Sequence, residues 1–109
     1  MTTELVTFKL PSDATRETVF EKFEKTAENW LRNADLVRKY YLFDPVTGVA
    51  GGVYLWKERA HAEKWHGPEF RARVRELYGA EPESQFFETP IIVDNFNGEI
   101  VHDSNQALR

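Results

Sequence analysis

His66 is the residue in this chain best suited to moving a proton at neutral pH, because an imidazole titrates near that range. It stands in Trp65-His66-Gly67-Pro68, where a charged helix must break. Just upstream, Gly51-Gly52-Val53-Tyr54-Leu55-Trp56 reads as a buried strand that feeds into this helix. Aromatic and imidazole groups then fall where a helix faces a sheet, which predicts a small aromatic-walled pocket. Tyr54 offers a phenolic O–H for proton transfer. Arg38 is a charge inside an apolar strand, costly unless paired, and is a candidate ligand for an oxyanion. Trp65, Trp30, Tyr40 and Trp56 are the candidate flat walls for a bound ligand.

Each residue has a structural alternative. His66 also fits a helix-end histidine bonding a backbone carbonyl, and Arg38 fits a partner to a helix glutamate. The tryptophans and tyrosines fit core packing. His61 lies on the charged part of the helix, and His102 lies in a polar tail. His61 and His66 are five residues apart, off one helical face, and there is no His-Glu-x-x-His, so no metal site is expected. Gly48, Gly51 and Gly52 precede a strand rather than a helix, which argues against a phosphate loop. Arg71, Arg73 and Arg75 alternate along a helix and point in different directions, as on a solvated face.

These residues need elements to position them. Glu4 to Leu10 alternates apolar and polar and predicts a strand. Pro11 ends it, and Ser12 or Asp13 is placed to cap a helix over 13–32. That helix shows apolar spacing at Val19/Phe20, Phe23, Ala27, Trp30 and Leu31. Leu36 to Asp44 predicts a second strand, with Leu36, Tyr40 and Leu42 on one face and Val37, Tyr41 and Phe43 on the other. Pro45-Val46-Thr47-Gly48 turns the chain into the third strand, Gly51 to Trp56.

Lys57 to His66 starts a second helix, Pro68 begins a new helical segment, and Gly79 caps it. Gln85 to Val93 predicts a fourth strand in which Pro90 implies an edge, a bulge or a split. The order is βαββαβ, the ferredoxin-like α+β pattern, over residues 1–96, with a polar tail over 97–109. The sheet is apolar on both faces, so a homodimer with sheets packed face to face is expected.

Composition sets bounds. The chain has 109 residues and a formal charge of -4, which fits one domain and argues against nucleic acid as the main partner. Residues 57–78 carry six Lys/Arg against four Glu, whereas residues 79–109 carry six Asp/Glu against one Arg. Cysteine is absent, which excludes disulfides and a thiol nucleophile and is compatible with a reducing cytoplasm. No apolar run approaches the roughly 20 residues that span a bilayer. The N-terminus has no basic region leading into an apolar run, so no signal peptide is expected.

The segments Asp35-Leu36-Val37-Arg38-Lys39-Tyr40-Tyr41-Leu42, Gly51-Gly52-Val53-Tyr54-Leu55-Trp56 and Phe87-Glu88-Thr89-Pro90-Ile91-Ile92-Val93-Asp94-Asn95 resemble the YdhR-type monooxygenases. These belong to the dimeric α/β-barrel superfamily, with antibiotic-biosynthesis monooxygenases and some polyketide cyclases. The resemblance covers most of residues 4–96. It implies a ferredoxin-like fold, a dimer, and a cavity between sheet and helices. It also implies oxygenation of a small aromatic or polyketide-type molecule without a cofactor. Many of the antibiotic-monooxygenase relatives carry a histidine on the second helix. Trp65 aligns there and His66 follows, and one residue is about 100° of helical rotation. The same superfamily leaves a cyclase or isomerase, a haem-degrading enzyme, and a non-catalytic small-molecule-binding dimer as alternatives.

Overall fold

The computed structural model describes residues 1–103. Its elements are β1 (Thr2–Lys9), α1 (Arg16–Leu31), β2 (Leu36–Asp44), β3 (Val49–Trp56), α2 (Arg59–Trp65), α3 (Pro68–Tyr78), β4 (Glu83–Glu88), β5 (Ile91–Asp94) and β6 (Glu99–His102). The main sheet is antiparallel with strand order β2-β3-β1-β4, the ferredoxin-like arrangement. Alternation sends Val6, Phe8, Ala50, Tyr54 and Trp56 to the helix side of the sheet, where Val19, Phe23, Ala62, Phe70 and Val74 meet them.

Several boundaries differ from expectation for local reasons. Ser12 and Asp13 fall in a turn closed by Ala14 N–H on the Pro11 carbonyl. The cap is Thr15, in a reciprocal box with Thr18. Leu31 is 84% exposed, so the apolar stripe of α1 ends at Trp30. In β2 the register slips between Leu36 and Arg38, which makes Val37 a bulge residue. Leu36 therefore packs on the core with Tyr41 and Phe43, not with Tyr40 and Leu42. The helix break at His66-Gly67 and the left-handed cap at Gly79 (φ 68°) stand where expected.

The expected fourth strand is split at Thr89-Pro90. Beyond the proline, β5 and β6 form a separate two-stranded sheet. Residues 99–102, expected in a loose tail, are thus a strand; the rest of that tail, 104–109, lies outside the described residues. The hairpin turn is built from Asp94, whose Oδ1 accepts the Phe96 and Asn97 N–H groups, and from Gly98 at φ 66°. Asp94 Oδ2 meets the Arg38 guanidinium at 3.2 Å. Arg38 is on β2 and the hairpin leaves from β4, at opposite edges of the sheet. Three strand spacings are about 14 Å, a distance that Thr89 to Asp94 spans when extended. The hairpin therefore crosses the sheet face away from the helices, and Leu55 on that face is buried.

Candidate functional site

A cavity of about 110 Å³, partly open to solvent, lies between the sheet and the helices. Helix α1 contributes Phe23, Thr26 and Trp30, and α3 contributes Phe70, Arg73, Val74, Leu77 and Tyr78. The sheet contributes Val6, Phe8, Lys39, Tyr41, Gly51, Gly52 and Tyr54. Gly51 and Gly52 make this floor possible. A Cβ on Gly51 would stand 1.8 Å from the Val6 carbonyl oxygen. A Cβ on Gly52 would stand 3.1 Å from the Tyr54 ring and 3.2 Å from Lys39 Cε. The missing side chain leaves room for a lysine stem.

Lys39 is the chemical centre of the cavity. Its Nζ lies 3.8 Å from the Tyr41 ring centre, 4.5 Å from Tyr54 and 4.8 Å from Trp30. The rings favour an ammonium by cation–π attraction. Among the described residues no carboxylate lines the cavity. Burial brings the Lys39 pKa down from 10.5 to about 7. At neutral pH a large fraction of this amine is free base, pointing into a mostly apolar space.

The phenols around it are acids held neutral. Burial raises the Tyr54 pKa well above its ordinary value, helped by nearby Tyr41 and the Glu4 carboxylate. Burial also raises Tyr41 and Tyr78. The Thr26 hydroxyl donates to the Phe23 carbonyl at 3.1 Å, so it accepts the Tyr41 O–H at 2.6 Å.

His66 points inward but does not line the cavity. Its ring stacks on Phe70 at 3.8 Å and meets Tyr54 edge-on at 4.3 Å, so it lies behind two of the cavity walls. Its Nδ1 is 2.6 Å from Glu4 Oε1, which also accepts the Trp56 indole N–H at 3.0 Å. The His66 side chain is 2% exposed and that of Glu4 is 0% exposed. Burial lowers the His66 pKa, against the pull of its Glu4 bond, so the ring is neutral at pH 7. Its Nε2 and Glu4 Oε2 are buried without partners among the described residues.

The other sequence-selected residues divide. Trp30 and Tyr54 line the cavity, and Trp56 is fully buried behind it, stacked on Tyr54. Trp65 points the other way, 38% exposed, its indole N–H donating to Asp35 at 2.9 Å. Thus Trp65 and His66, adjacent in sequence, face opposite directions. Arg38 and Tyr40 lie on the outer sheet face, bonded to one another at 3.2 Å, away from the cavity. His61 is tucked against Asp35 at 3.5 Å and is not solvent-facing. Lys39, Glu4 and Arg73 were not singled out as site residues. Simple alternation would have found the first two: Lys39 shares a face with Tyr41 and Phe43, and Glu4 with Val6 and Phe8. Among the described residues no cluster of three or more His, Asp or Glu side chains could hold a metal ion. Among the described residues no helix is long and apolar enough to cross a membrane.

No family model and no curated protein matches the chain. Solved structures do. An asparagine-to-alanine mutant of SnoaB, a cofactor-independent oxygenase from Streptomyces nogalater, superimposes with a TM-score of 0.60 at 18% identity, covering 81% of this chain and 91% of that one. SnoaB in a second structure gives 0.59 with the same identity and coverage. A monooxygenase from the gene ActVA-Orf6 of Streptomyces coelicolor, in complex with the ligand Nanaomycin D, gives 0.59 at 18% identity, covering 81% of this chain and 86% of that one. These likenesses establish a shared ferredoxin-like α+β fold.

Proposed function

We propose that this chain is a YdhR-type, cofactor-independent monooxygenase of a small aromatic or polyketide-type molecule, acting as a homodimer in the cytoplasm. The observation that carries the reading is Lys39: a desolvated amine, titrating at about 7, in a cavity walled by Trp30, Tyr41 and Tyr54. The fold is shared with a cofactor-independent oxygenase and with a monooxygenase that binds Nanaomycin D, which is the chemistry such a cavity fits.

The neutral Lys39 amine takes a proton from an activated C–H of an anthrone-type substrate. The resulting carbanion passes one electron to O2, and the two radicals join in a C–O bond. The peroxide anion regains a proton from the Lys39 ammonium. Loss of the second C–H proton with cleavage of the O–O bond gives a ketone and water. The CH2 group and O2 become C=O and H2O, so the substrate supplies all the electrons. In this reading Tyr54, held neutral, hydrogen-bonds the developing oxyanion. The Glu4–His66 pair lies one layer back and fixes the Tyr54 and Phe70 walls.

Pure protein incubated with a series of anthrones under O2 should form the corresponding quinones, with oxygen consumed in step. No turnover above buffer with several such substrates would overturn the reading. A cyclase or isomerase would use the same proton abstraction, and turnover unaffected by removing O2 would favour it.

A further inference from the structure

We propose that the cavity selects aromatic ligands bearing one carboxylate, with Arg73 as its anchor. The inference rests on the reading of this cavity as the ligand site, not on the oxygen chemistry.

Arg73 differs from its neighbours on α3. Arg71 and Arg75 both engage Glu81, at 3.1 and 3.0 Å. Arg73 makes no ion pair among the described residues. Positions 70, 73, 74 and 77 form one helical stripe, and all four line the cavity. Three are apolar; the fourth is a guanidinium. Arg73 is exposed and also lines the surface hollow beside Trp65 and Pro68, so it sits at the boundary between cavity and solvent.

The charge balance of the lining points the same way. Among the described residues it contains two basic side chains, Lys39 and Arg73, and no Asp or Glu; Glu63 and Glu69 line only the outer hollow. An unpaired guanidinium beside apolar walls is satisfied best by a planar, bidentate anion, and a carboxylate has that geometry. The ligand ring would lie among Trp30, Tyr54 and Phe70 with its carboxylate at the rim. Lys39, deeper on β2, is left free to act on the ring.

Calorimetric titration without O2 tests this with 1-hydroxy-2-naphthoate and 1-naphthol, which differ by the carboxylate. The acid should bind about tenfold more tightly, equivalent to one charge-assisted contact. Arg73→Gln should weaken the acid about tenfold more than the naphthol, and Arg73→Lys should recover part of that difference. Equal binding of the two ligands, or equal weakening of both by Arg73→Gln, would overturn the proposal while leaving the cavity as a ligand site. Binding of neither would overturn the cavity reading and this proposal with it.

Discussion

The ammonium nitrogen of Lys39 lies 3.8 Å from the centre of the Tyr41 ring, two residues along the same strand. Strand periodicity puts both on the helix side of the sheet. Together with Tyr54 and Trp30 they form an aromatic cage around an amine that no described carboxylate neutralises. A charge buried this way costs stability, and a desolvated amine in a cavity is what the proposed proton transfer needs.

Lys39→Met keeps the side-chain length and removes the base. Turnover should fall by about 10²- to 10⁴-fold, the usual contribution of a general base. The circular dichroism spectrum should be unchanged. A variant that retains wild-type turnover would remove Lys39 from the mechanism.

The same group sets a pH dependence. Below about 7 the amine is protonated, so kcat/KM should fall about tenfold per pH unit there and level off above it. Stability follows with a defined sign. The folded pKa of about 7 lies below the ordinary 10.5, so between these values the unfolded chain binds more protons. Stability therefore rises with pH across this window, by at most about 1.4 kcal/mol per unit. Urea titrations should show the rise in wild type, and Lys39→Met should flatten it.

Glu4→Leu strips the shared acceptor from the Trp56 and His66 N–H groups. Breaking such a buried set costs on the order of 3 kcal/mol in urea denaturation. Glu4→Gln, which keeps an acceptor, should cost less. His66 should titrate below its ordinary 6.5 by NMR, because burial outweighs the Glu4 bond. Its effect on stability is absent above that value and appears as a loss when the pH falls below it.

Gly51→Ala should abolish soluble folded protein, since the new Cβ would overlap the Val6 carbonyl oxygen. Gly52→Ala meets its neighbours at 3.1 to 3.2 Å. It should fold less stably and shift the Lys39 stem by a few tenths of an ångström, lowering turnover by less than Lys39→Met does. Expression yield and steady-state rates separate the two.

Sedimentation should report a homodimer of the 12.7 kDa chain. The hairpin that crosses the outer sheet face leaves Ile91, Val93 and Ile100 exposed, at 52%, 67% and 64%, and Phe87 beside it at 55%. A patch of this kind is costly in water and fits a second copy. A stable monomer would contradict this.

The order of elements was legible in the second half because α2 and α3 each had their own stop: Gly67-Pro68 and Gly79. The outer hairpin was missed, although Asp94-Asn95-Phe96-Asn97-Gly98 repeats the Asp-to-Gly spacing of Asp44-Pro45-Val46-Thr47-Gly48. Both aspartates cap their turns, and both glycines take a positive φ. The site was only half legible. His66 drew notice as an imidazole, yet it lies behind the wall. Lys39 and Glu4 carry no such signal on their own, because charged residues usually lie on the surface. Their place in the alternation, on the faces of Tyr41 and Val6, was the available signal. Arg38 drew notice for its charge in an apolar strand, and Asp94, far off in sequence, explains it. No local pattern reports that pairing.

Oxygen uptake during anthrone turnover by wild type and Lys39→Met, compared at pH 6 and 8, tests the central claim most directly. The account predicts one O2 consumed per quinone formed, a wild-type rate that rises between the two pH values, and a variant rate reduced by about 10²-fold or more with no such rise. Equal rates in the two proteins, or the same pH profile in both, would contradict it.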